Sequence, residues 1–272
     1  MGEKLAIRLP PGTGDSDQET PAMNIQETVS QIKAMKRQED GPYKCSDSVT
    51  NLQSEITRIS STNNRKSSRK CNGVDTLYRG KTIKYFYRIV DFFELQREIV
   101  SVTINILDRY SLTAEGSSII DNRKEYQLAS MASFYTSIKI FGSKVIGPDF
   151  FTSTSRGSFT EKDITDMEMR ILLSLKWRMN PPTALAFVHK FMHLIPNGMS
   201  KSVRLKILEH SKYQTELAMN DCWFADKLPS SIAFASITNS LNSLECRELS
   251  ETSQTLILDV ISLVLRTDDL SA

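Results

Sequence analysis

Apolar residues recur at helical spacing through most of the chain after residue 74. In segment 95–110 they repeat at positions i, i+3, i+4, i+7, i+8 and i+11, beginning at Ile99. This spacing places one apolar stripe along an α-helix. Similar stripes predict eight helices, at 77–93, 95–110, 126–140, 158–175, 183–195, 203–220, 230–242 and 250–266. Because no part of this region alternates like a β-strand over a useful length, the predicted fold class is all-α.

One predicted helix, 126–140 (YQLASMASFYTSIKI), has small residues on several of its sides. Neighbouring helices can approach such a helix closely, which favours a central position in a bundle. Segment 230–240 (SSIAFASITNS) has the same character later in the chain. This similarity predicts two helical bundles.

The first 74 residues have a different composition. They are rich in polar residues, Gly and Pro, and they are almost free of aromatic residues, which predicts a largely disordered tail over 1–74. Within the tail, the positions of Ile25, Val29 and Ile32 predict a short helix at 23–36. A docked helix and a transient one fit this stripe equally well. The predicted division is therefore a tail at 1–74 and a helical region after it.

Composition and charge narrow the choice of function. Hydrophobic residues make up 40% of the chain and charged residues 24%, which is enough for a packed core. A net charge of +2 does not by itself indicate binding to nucleic acid, and no apolar run is long enough to span a membrane. The basic cluster RKSSRK (65–70) fits a nuclear import signal and a chance match equally well. We expect a nuclear and/or cytoplasmic location.

The sequence offers no clear metal or catalytic site. Its four cysteines have no paired spacing and are predicted to be free thiols in a reducing compartment; they are Cys45, Cys71, Cys222 and Cys246. His189 and His193 lie four residues apart, but no third ligand is evident, so a surface pair is predicted. Phosphate-binding loops, dinucleotide-binding glycine patterns and nucleophile elbows are not found in the sequence. We therefore predict a protein that is not an enzyme and needs no cofactor or metal.

Charged residues inside otherwise apolar helices are more informative. Arg79, Asp108, Lys139 and Glu168 lie in four successive predicted helices. A charge close to a core must be paired or hydrogen-bonded, because otherwise its burial costs several kcal/mol. One pair could be internal, between Arg79 and Asp108. The other two residues could reach outward to the backbone of a partner.

The same helices resemble those of a known family. Segment 94–112 (ELQREIVSVTINILDRYSL) resembles the second helix of a cyclin box, and YQLASMASFYTSIKI resembles its central third helix. Segment 159–188 is similar to the fifth helix and the crossing into a second box, and 78–86 (YRGKTIKYF) occupies the position of the first helix. The resemblance implies a cyclin fold of two tandem bundles of about five helices each, with the first box at 75–178 and a cyclin-like domain at 179–268. Whether the second bundle is complete or truncated is left open.

The resemblance also assigns roles to residues. It implies that Arg79 and Asp108 form an internal ion pair and that Leu128 belongs to the core of the box. Lys139 and Glu168 would bind main-chain groups of a cyclin-dependent serine/threonine kinase. Ile140 and Leu172 would add apolar contacts nearby. The implied function is a regulatory subunit that activates such a kinase allosterically in cell-cycle control.

Two further features concern partners other than the kinase itself. Many cyclins dock kinase substrates or inhibitors on an apolar patch, and the corresponding positions here are Tyr78, Lys81, Tyr85, Arg88 and Gln127. Two of these residues are basic, which puts the usual form of docking in doubt. Segment 244–248 (LECRE) matches a motif that binds retinoblastoma-type pocket proteins through Leu244, Cys246 and Glu248. A chance match remains the alternative.

Two other function classes are kept as alternatives. A cyclin-fold transcription factor would bind DNA through a basic face, whereas a helical scaffold would keep the box without activating a kinase. The balanced charge and scattered cysteines disfavour the first, and the presence of both Lys139 and Glu168 disfavours the second. The expected partner is a kinase, with no membrane or nucleic acid.

Overall fold

The computed structural model describes residues 25–45, 76–196, 198–245 and 247–266. In this part of the chain all of the regular secondary structure is helical, in agreement with the predicted fold class. The α-helices are α1 (Ile25–Asp40), α2 (Thr76–Phe92), α3 (Glu98–Ser111), α4 (Arg123–Phe141), α5 (Pro148–Thr154), α6 (Glu161–Ser174), α7 (Ala184–Leu194), α8 (Lys201–Asn220), α9 (Pro229–Asn242) and α10 (Glu251–Arg266). Short 3-10 helices span Ser117–Asp121 and Cys222–Phe224. None of the described helices is long and apolar enough to cross a membrane.

Several helix ends follow from local sequence. Thr160 forms a capping box with Asp163 at the start of α6 and thereby satisfies backbone donors of the first turn. Thr183 accepts a hydrogen bond from the Ala186 N–H and caps the start of α7. The apolar spacing predicted no helix between residues 140 and 158, but α5 lies there. Pro148, the first residue of α5, is well suited to that position because its missing N–H needs no partner there.

The first bundle consists of α2 to α6, with α4 at its centre. The small residues of α4 are buried, and the helix packs against α2, α3 and α6. The ring of Phe134 stacks on Phe86 of α2, with 4.3 Å between the ring centroids. The same ring meets Phe151 of α5 edge-on at 6.1 Å. The predicted central position of this helix is therefore confirmed. Because α4 is enclosed on most sides, its exposed residues lie at its two ends.

The second bundle is completed by a helix from the other end of the chain. Helices α7 to α10 pack together around a core that includes Phe187, Ile237 and Ile261. Helix α1 packs against α7 and α10, and its Ile32 is fully buried in the same core. Segment 23–36 was predicted to be either a docked helix or a transient one. In the structure it is docked, and the helix extends to Asp40. Residues 1–24 and 46–74 of the predicted tail lie outside the described residues.

Polar contacts join the two bundles. The Arg97 guanidinium binds both carboxylate oxygens of Glu216 on α8, at 2.8 to 3.0 Å. Arg97 also pairs with Asp91 and stacks over the Tyr87 ring at 4.3 Å. The Thr183 hydroxyl donates a hydrogen bond to Glu98 at the start of α3. These contacts fix the second bundle against the end of α2 and the start of α3.

Candidate functional site

Two charged side chains meet at the surface between α4 and α6. Lys139 lies in the last turn of α4, and its Nζ is 2.7 Å from Oε2 of Glu168 in the middle of α6. The Lys139 side chain is 46% exposed, whereas that of Glu168 is only 9% exposed. We call this pair the clamp. It combines an accessible cation with a nearly buried carboxylate, so that the lysine covers the glutamate.

A third residue, Thr136, binds the Glu168 carboxylate from inside the bundle. Its Oγ1 lies 2.8 Å from Oε1 of Glu168 and 2.9 Å from the Ala132 carbonyl oxygen. A hydroxyl has one proton to donate, and a carboxylate is the stronger acceptor, so we assign the proton to the bond with Glu168. The sequence interpretation did not include Thr136. Its position three residues before Lys139, and thus on the same side of α4, is the signal that could have identified it.

The lysine has few other contacts. Its Nζ lies 4.6 Å from the centroid of the Tyr135 ring, which is within cation–π range. Because the long side chain is half exposed, it can leave Glu168 without disturbing the packing of α4. Glu168 lacks this freedom, since its side chain is enclosed and bonded to Thr136.

Exposed apolar side chains lie on the same two helices as the clamp, though not all of them are those predicted. Ile140 is 48% exposed beside Lys139, in keeping with a contact role. Leu172 is instead buried in the core of the first bundle and offers little surface. Met169 and Leu173, on the same helix as Glu168, are exposed and were not predicted. They are the α6 side chains most available for apolar contact.

Trp177, just beyond the end of α6, is another exposed apolar side chain. Lys176 and Trp177 have φ angles of 53° and 59°, in the left-handed region that costs a non-glycine residue about 1–2 kcal/mol. The Trp177 N–H donates to the Leu172 carbonyl oxygen at 2.9 Å, which stabilises this turn. As a result the indole is 63% exposed.

The predicted internal pair is buried at the other end of the first bundle. Nη2 of Arg79 lies 2.7 Å from Oδ2 of Asp108, and both side chains are almost fully enclosed. Nη1 of Arg79 donates to the Met219 carbonyl oxygen on α8 at 3.0 Å. Arg79 therefore links α2 to α3 and also to the second bundle. Leu128 is partly buried and packs against both apolar clusters of the first bundle.

Four of the five predicted docking residues line one cavity between α2 and α4. Tyr78, Lys81, Tyr85 and Gln127 lie at this cavity, which has a volume of about 210 Å³. Its floor includes the buried side chains of Phe86 and Met131. Arg88 is exposed one helical turn beyond it. We call the cavity and its rim the docking groove.

The LECRE segment is folded against the second bundle. Leu244 packs on the core of that bundle, and Glu248 forms an ion pair with Lys206. Backbone hydrogen bonds from Glu248 and Leu249 to the Glu245 carbonyl oxygen make this segment a turn. Cys246 lies outside the described residues. Two of the three motif residues are thus already engaged within the chain.

The histidine pair on α7 is exposed to solvent. Partial burial, together with the positive charges of Lys190 and Arg204, lowers the pKa of His193. In the described ranges no group of three or more His, Cys, Asp or Glu side chains could hold a metal ion. Cys45, the cysteine whose side chain is described, lies between the bundles, where burial raises the pKa of its thiol to about 12.

Comparison with known proteins supports a single family. The family model of the cyclin N-terminal domain matches residues 47–180. Putative cyclin-F3-2 of Oryza sativa subsp. japonica is 24% identical over 192 residues, which cover 71% of this chain and 45% of that protein. G1/S-specific cyclin CLN2 of Candida albicans is 26% identical over 140 residues, which cover 51% of this chain and 29% of that protein. The chain thus spans less than half the length of each relative.

A solved structure supports the same conclusion about the fold. The X-ray structure of a viral cyclin from herpesvirus saimiri superposes with a TM-score of 0.53 at 17% identity, covering 80% of this chain and 96% of that one. The two helical bundles have the cyclin fold. The chain belongs to the cyclin family. The predicted fold and family are both confirmed.

Proposed function

We propose that this cyclin is a regulatory subunit that binds a cyclin-dependent serine/threonine kinase and activates it allosterically. The observation that carries the proposal is the clamp, a Lys139–Glu168 pair placed where α4 and α6 reach the surface of the first bundle. Exposed apolar side chains beside it, Ile140, Met169 and Leu173, provide area for a protein partner.

The clamp is suited to backbone recognition because it carries one donor and one acceptor side by side. When a kinase main chain approaches, the half-exposed Lys139 turns from Glu168 towards a carbonyl oxygen. Oε2 of Glu168 is then free to accept a backbone N–H, while Thr136 keeps Oε1 in place. The internal ion pair of the free protein is exchanged for two charge-assisted hydrogen bonds across the interface.

Activation follows from which kinase conformation this surface fits. A cyclin that binds better to the conformation in which the kinase's own Lys–Glu pair is formed shifts the equilibrium towards that conformation. The cyclin contributes no catalytic group in this mechanism. Its role is regulatory, and the size of the shift is set by the difference in its affinity for the two states.

The test uses the purified full chain and a panel of cyclin-dependent kinases. Lys139→Glu and Glu168→Ala should each weaken kinase binding by about 2–5 kcal/mol, since each leaves one side of a charged contact without its partner. Lys162→Glu, an exposed lysine on α6, is the control with the same charge change as Lys139→Glu. Binding is measured by calorimetry, and circular dichroism and melting confirm the fold. Unchanged affinity in both clamp variants would overturn the site, and a wild-type chain that binds none of the kinases would overturn the function.

We further propose a role in cell-cycle control in the nucleus and/or cytoplasm. The support is that one relative is named a G1/S-specific cyclin. Protein abundance through a synchronised division cycle tests this role, because constant abundance would favour a transcriptional or nutrient-signalling role. The basic cluster 65–70 lies outside the described residues, and imaging a fluorescent fusion with and without it tests the location.

A further inference from the structure

Helix α8 carries an exposed row of large side chains on the outer face of the second bundle. The row follows the four-residue spacing of a helix ridge and consists of Leu205, Glu209, Tyr213 and Leu217. We call these four side chains the α8 ridge. Its three apolar members are 50–58% exposed, and Glu209 is exposed as well. A helix that only covers a bundle is polar on its outer face, so this ridge indicates an interaction surface.

Two charged side chains near the middle of α8 are not engaged within the described chain. Glu209 on the ridge and Lys212 beside it form no ion pair or side-chain hydrogen bond with any described residue. The neighbouring charges Lys206 and Glu216 are instead held by ion pairs with residues outside α8. One negative and one positive charge therefore remain available next to the apolar side chains of the ridge.

The positions of the ridge are symmetric about the middle of the helix. Leu205 and Leu217 lie six residues to either side of position 211, and Glu209 and Tyr213 lie two residues to either side. In an antiparallel pair of such helices, related by a two-fold axis at position 211, each residue lies level with its counterpart from the other half. Leu205 of one copy then packs on Leu217 of the other, and Glu209 lies level with Tyr213. Two such ridges pack with the helices inclined by about 50°, the commonest class of helix contact.

The available charges favour this antiparallel arrangement over a parallel one. With the axis at position 211, Glu209 of one copy lies one residue, or about 1.5 Å along the helix, from the level of Lys212 of the other. Opposite charges then meet twice, once on each side of the axis, and the Tyr213 hydroxyl can donate to the same carboxylate. In a parallel pair in register, Glu209 would face Glu209 and Lys212 would face Lys212, which is repulsive.

We propose that two copies of this chain form a symmetric dimer through the α8 ridge. The ends of the ridge lie twelve residues apart, which is about 18 Å of helix. For a helix about 10 Å wide, the footprint is roughly 200 Å² per copy, which is small beside the roughly 800 Å² per partner of a stable interface. The dimer is therefore weak, with a dissociation constant of about 10–100 μM, and it assembles and dissociates with concentration.

The dimer does not depend on the proposed function. The ridge lies on the second bundle and the clamp on the first, and the two surfaces share no residue. Each copy keeps its own clamp, so a dimer carries two of them.

Sedimentation velocity of the purified full chain, from about 1 to 300 μM, tests the proposal. The average mass should rise from that of one chain, 30.8 kDa, towards twice that value as the concentration passes the dissociation constant. The mass of a single chain across the whole range would overturn the proposal and leave the ridge to a different partner. Growth beyond two copies would also overturn it, because a two-fold contact is closed.

Glutamate substitutions locate the contact. Leu205→Glu combined with Leu217→Glu should weaken dimerisation by about tenfold or more, since each apolar contact is replaced by two like charges. The control is Leu256→Glu combined with Leu263→Glu, at two similarly exposed leucines of α10. It makes the same change in composition and charge and should dimerise like the wild type, and circular dichroism verifies the fold of both variants. Equal losses in the two would show nonspecific apolar adhesion and would contradict the ridge.

Exchanging the two charges tests the antiparallel register. Glu209→Lys and Lys212→Glu should each weaken the dimer several-fold, because like charges meet across the axis in either variant. The two substitutions together restore opposite charges and should return the affinity to within about twofold of the wild type. Such a rescue cannot arise from damage to the fold. If the double variant is as weak as the single ones, the register is wrong.

Kinase binding separates this inference from the proposed function. The Leu205→Glu and Leu217→Glu double variant should bind a kinase as the wild type does, and Lys139→Glu should dimerise as the wild type does. A chain that dimerises but binds no kinase would refute the proposed function alone. A chain that binds a kinase and stays single would refute the dimer alone.

Discussion

Glu168 is a nearly buried carboxylate whose two oxygens have different partners. Oε1 is held by Thr136 from inside the bundle, and Oε2 is covered by Lys139 from outside. The inner bond fixes the position of the carboxylate, whereas the outer one involves a side chain that is free to leave. This division of roles lets one residue be rigid and still become available to a partner.

Replacing Thr136 should therefore affect kinase binding as well as stability. Thr136→Val keeps the shape but removes the hydroxyl, and a hydrogen bond to a charged group is worth about 1.5–3 kcal/mol. We expect a loss of folding stability of this order and about tenfold weaker kinase binding, measured by melting and calorimetry. In a double-mutant cycle, Thr136→Val should add little once Glu168→Gln is present.

The control for this prediction is another buried threonine. Thr103→Val removes a hydroxyl that bonds only to the Ile99 carbonyl oxygen within α3. It should lower stability without changing kinase affinity. If Thr136→Val also leaves kinase affinity unchanged, the threonine has a structural role only.

At the scale of elements, two charged side chains of α1 bind the ends of α9 and α10. Both oxygens of the Glu39 carboxylate accept hydrogen bonds from Ser230 at the start of α9, from its N–H at 2.9 Å and its hydroxyl at 2.5 Å. The Lys36 ammonium donates to the Leu265 carbonyl oxygen in the last turn of α10 at 2.6 Å. An anion at a helix N-terminus and a cation at a C-terminus are both favourable placements.

The Glu39 contact makes the docking of α1 depend on pH. Burial, which outweighs the hydrogen bonds from Ser230 and the charge of Lys36, raises the pKa of Glu39 to about 7, and Asp40 contributes in the same direction. The docked state thus favours the protonated carboxyl. Its contribution is complete below about pH 4.5 and is lost as the pH rises towards 7, a change of order 1–3 kcal/mol.

Hydrogen exchange of α1 amides, followed by mass spectrometry, checks this dependence. Glu39→Gln imitates the protonated form, so it should protect α1 better than wild type at pH 8 and about equally at pH 5. Comparison at a single pH cancels the intrinsic exchange rate. Glu27→Gln, an exposed residue of the same helix, should behave like wild type at both values. Equal protection in Glu39→Gln and wild type at pH 8 would contradict the assignment.

At the scale of the whole molecule, Arg97 makes the main ion pair that connects the two bundles at the surface. Its guanidinium binds Glu216 through two nitrogens, pairs with Asp91 and stacks on Tyr87. The bonds to both carboxylates raise its pKa further above the ordinary arginine value. Such a planar, two-point contact fixes orientation as well as distance.

Arg97→Ala should weaken the contact between the two bundles. Since the side chain is about one-third exposed, the expected loss is about 1–2 kcal/mol, seen as a lower melting temperature and a broader transition in calorimetry. Arg97→Lys should not restore the wild-type value, because an ammonium cannot make the two-nitrogen contact. Arg247→Ala removes an exposed pair with Glu245 and should have almost no effect. Full rescue by lysine would show that charge alone matters.

The parts of this molecule that the sequence predicted depend on local periodicity. The long helices and the central position of α4 follow from apolar spacing and from small residues such as Ala132, which are properties of one segment at a time. Helix α5 has only seven residues, too few for a stripe to be recognised, and it is missing from the predicted helices. The docking of α1 depends on residues more than a hundred positions away, which no local pattern contains.

The same distinction applies to the candidate site. Lys139 and Glu168 were found because charges in apolar helices are conspicuous and because the family resemblance named them. The bond from Thr136 depends on the crossing of α4 and α6, which fixes which side chains meet. The burial of Leu172 and the exposure of Met169 depend on the same crossing. A helix stripe shows which face is apolar, but the neighbouring helices decide which of its residues remain accessible.

The incorporation of α1 into the second bundle has a consequence for synthesis on the ribosome. Asp40 precedes Arg266, the last residue of α10, by 226 positions. At about 5–20 residues per second, roughly 10–45 s therefore pass between the synthesis of α1 and that of α10, the last helix against which it packs. During that interval the second bundle, whose core buries Ile32 and the rest of the apolar stripe of α1, is incomplete. The first bundle can meanwhile close around α4, so that the half of the cyclin that carries the clamp is complete before α1 has a place to dock.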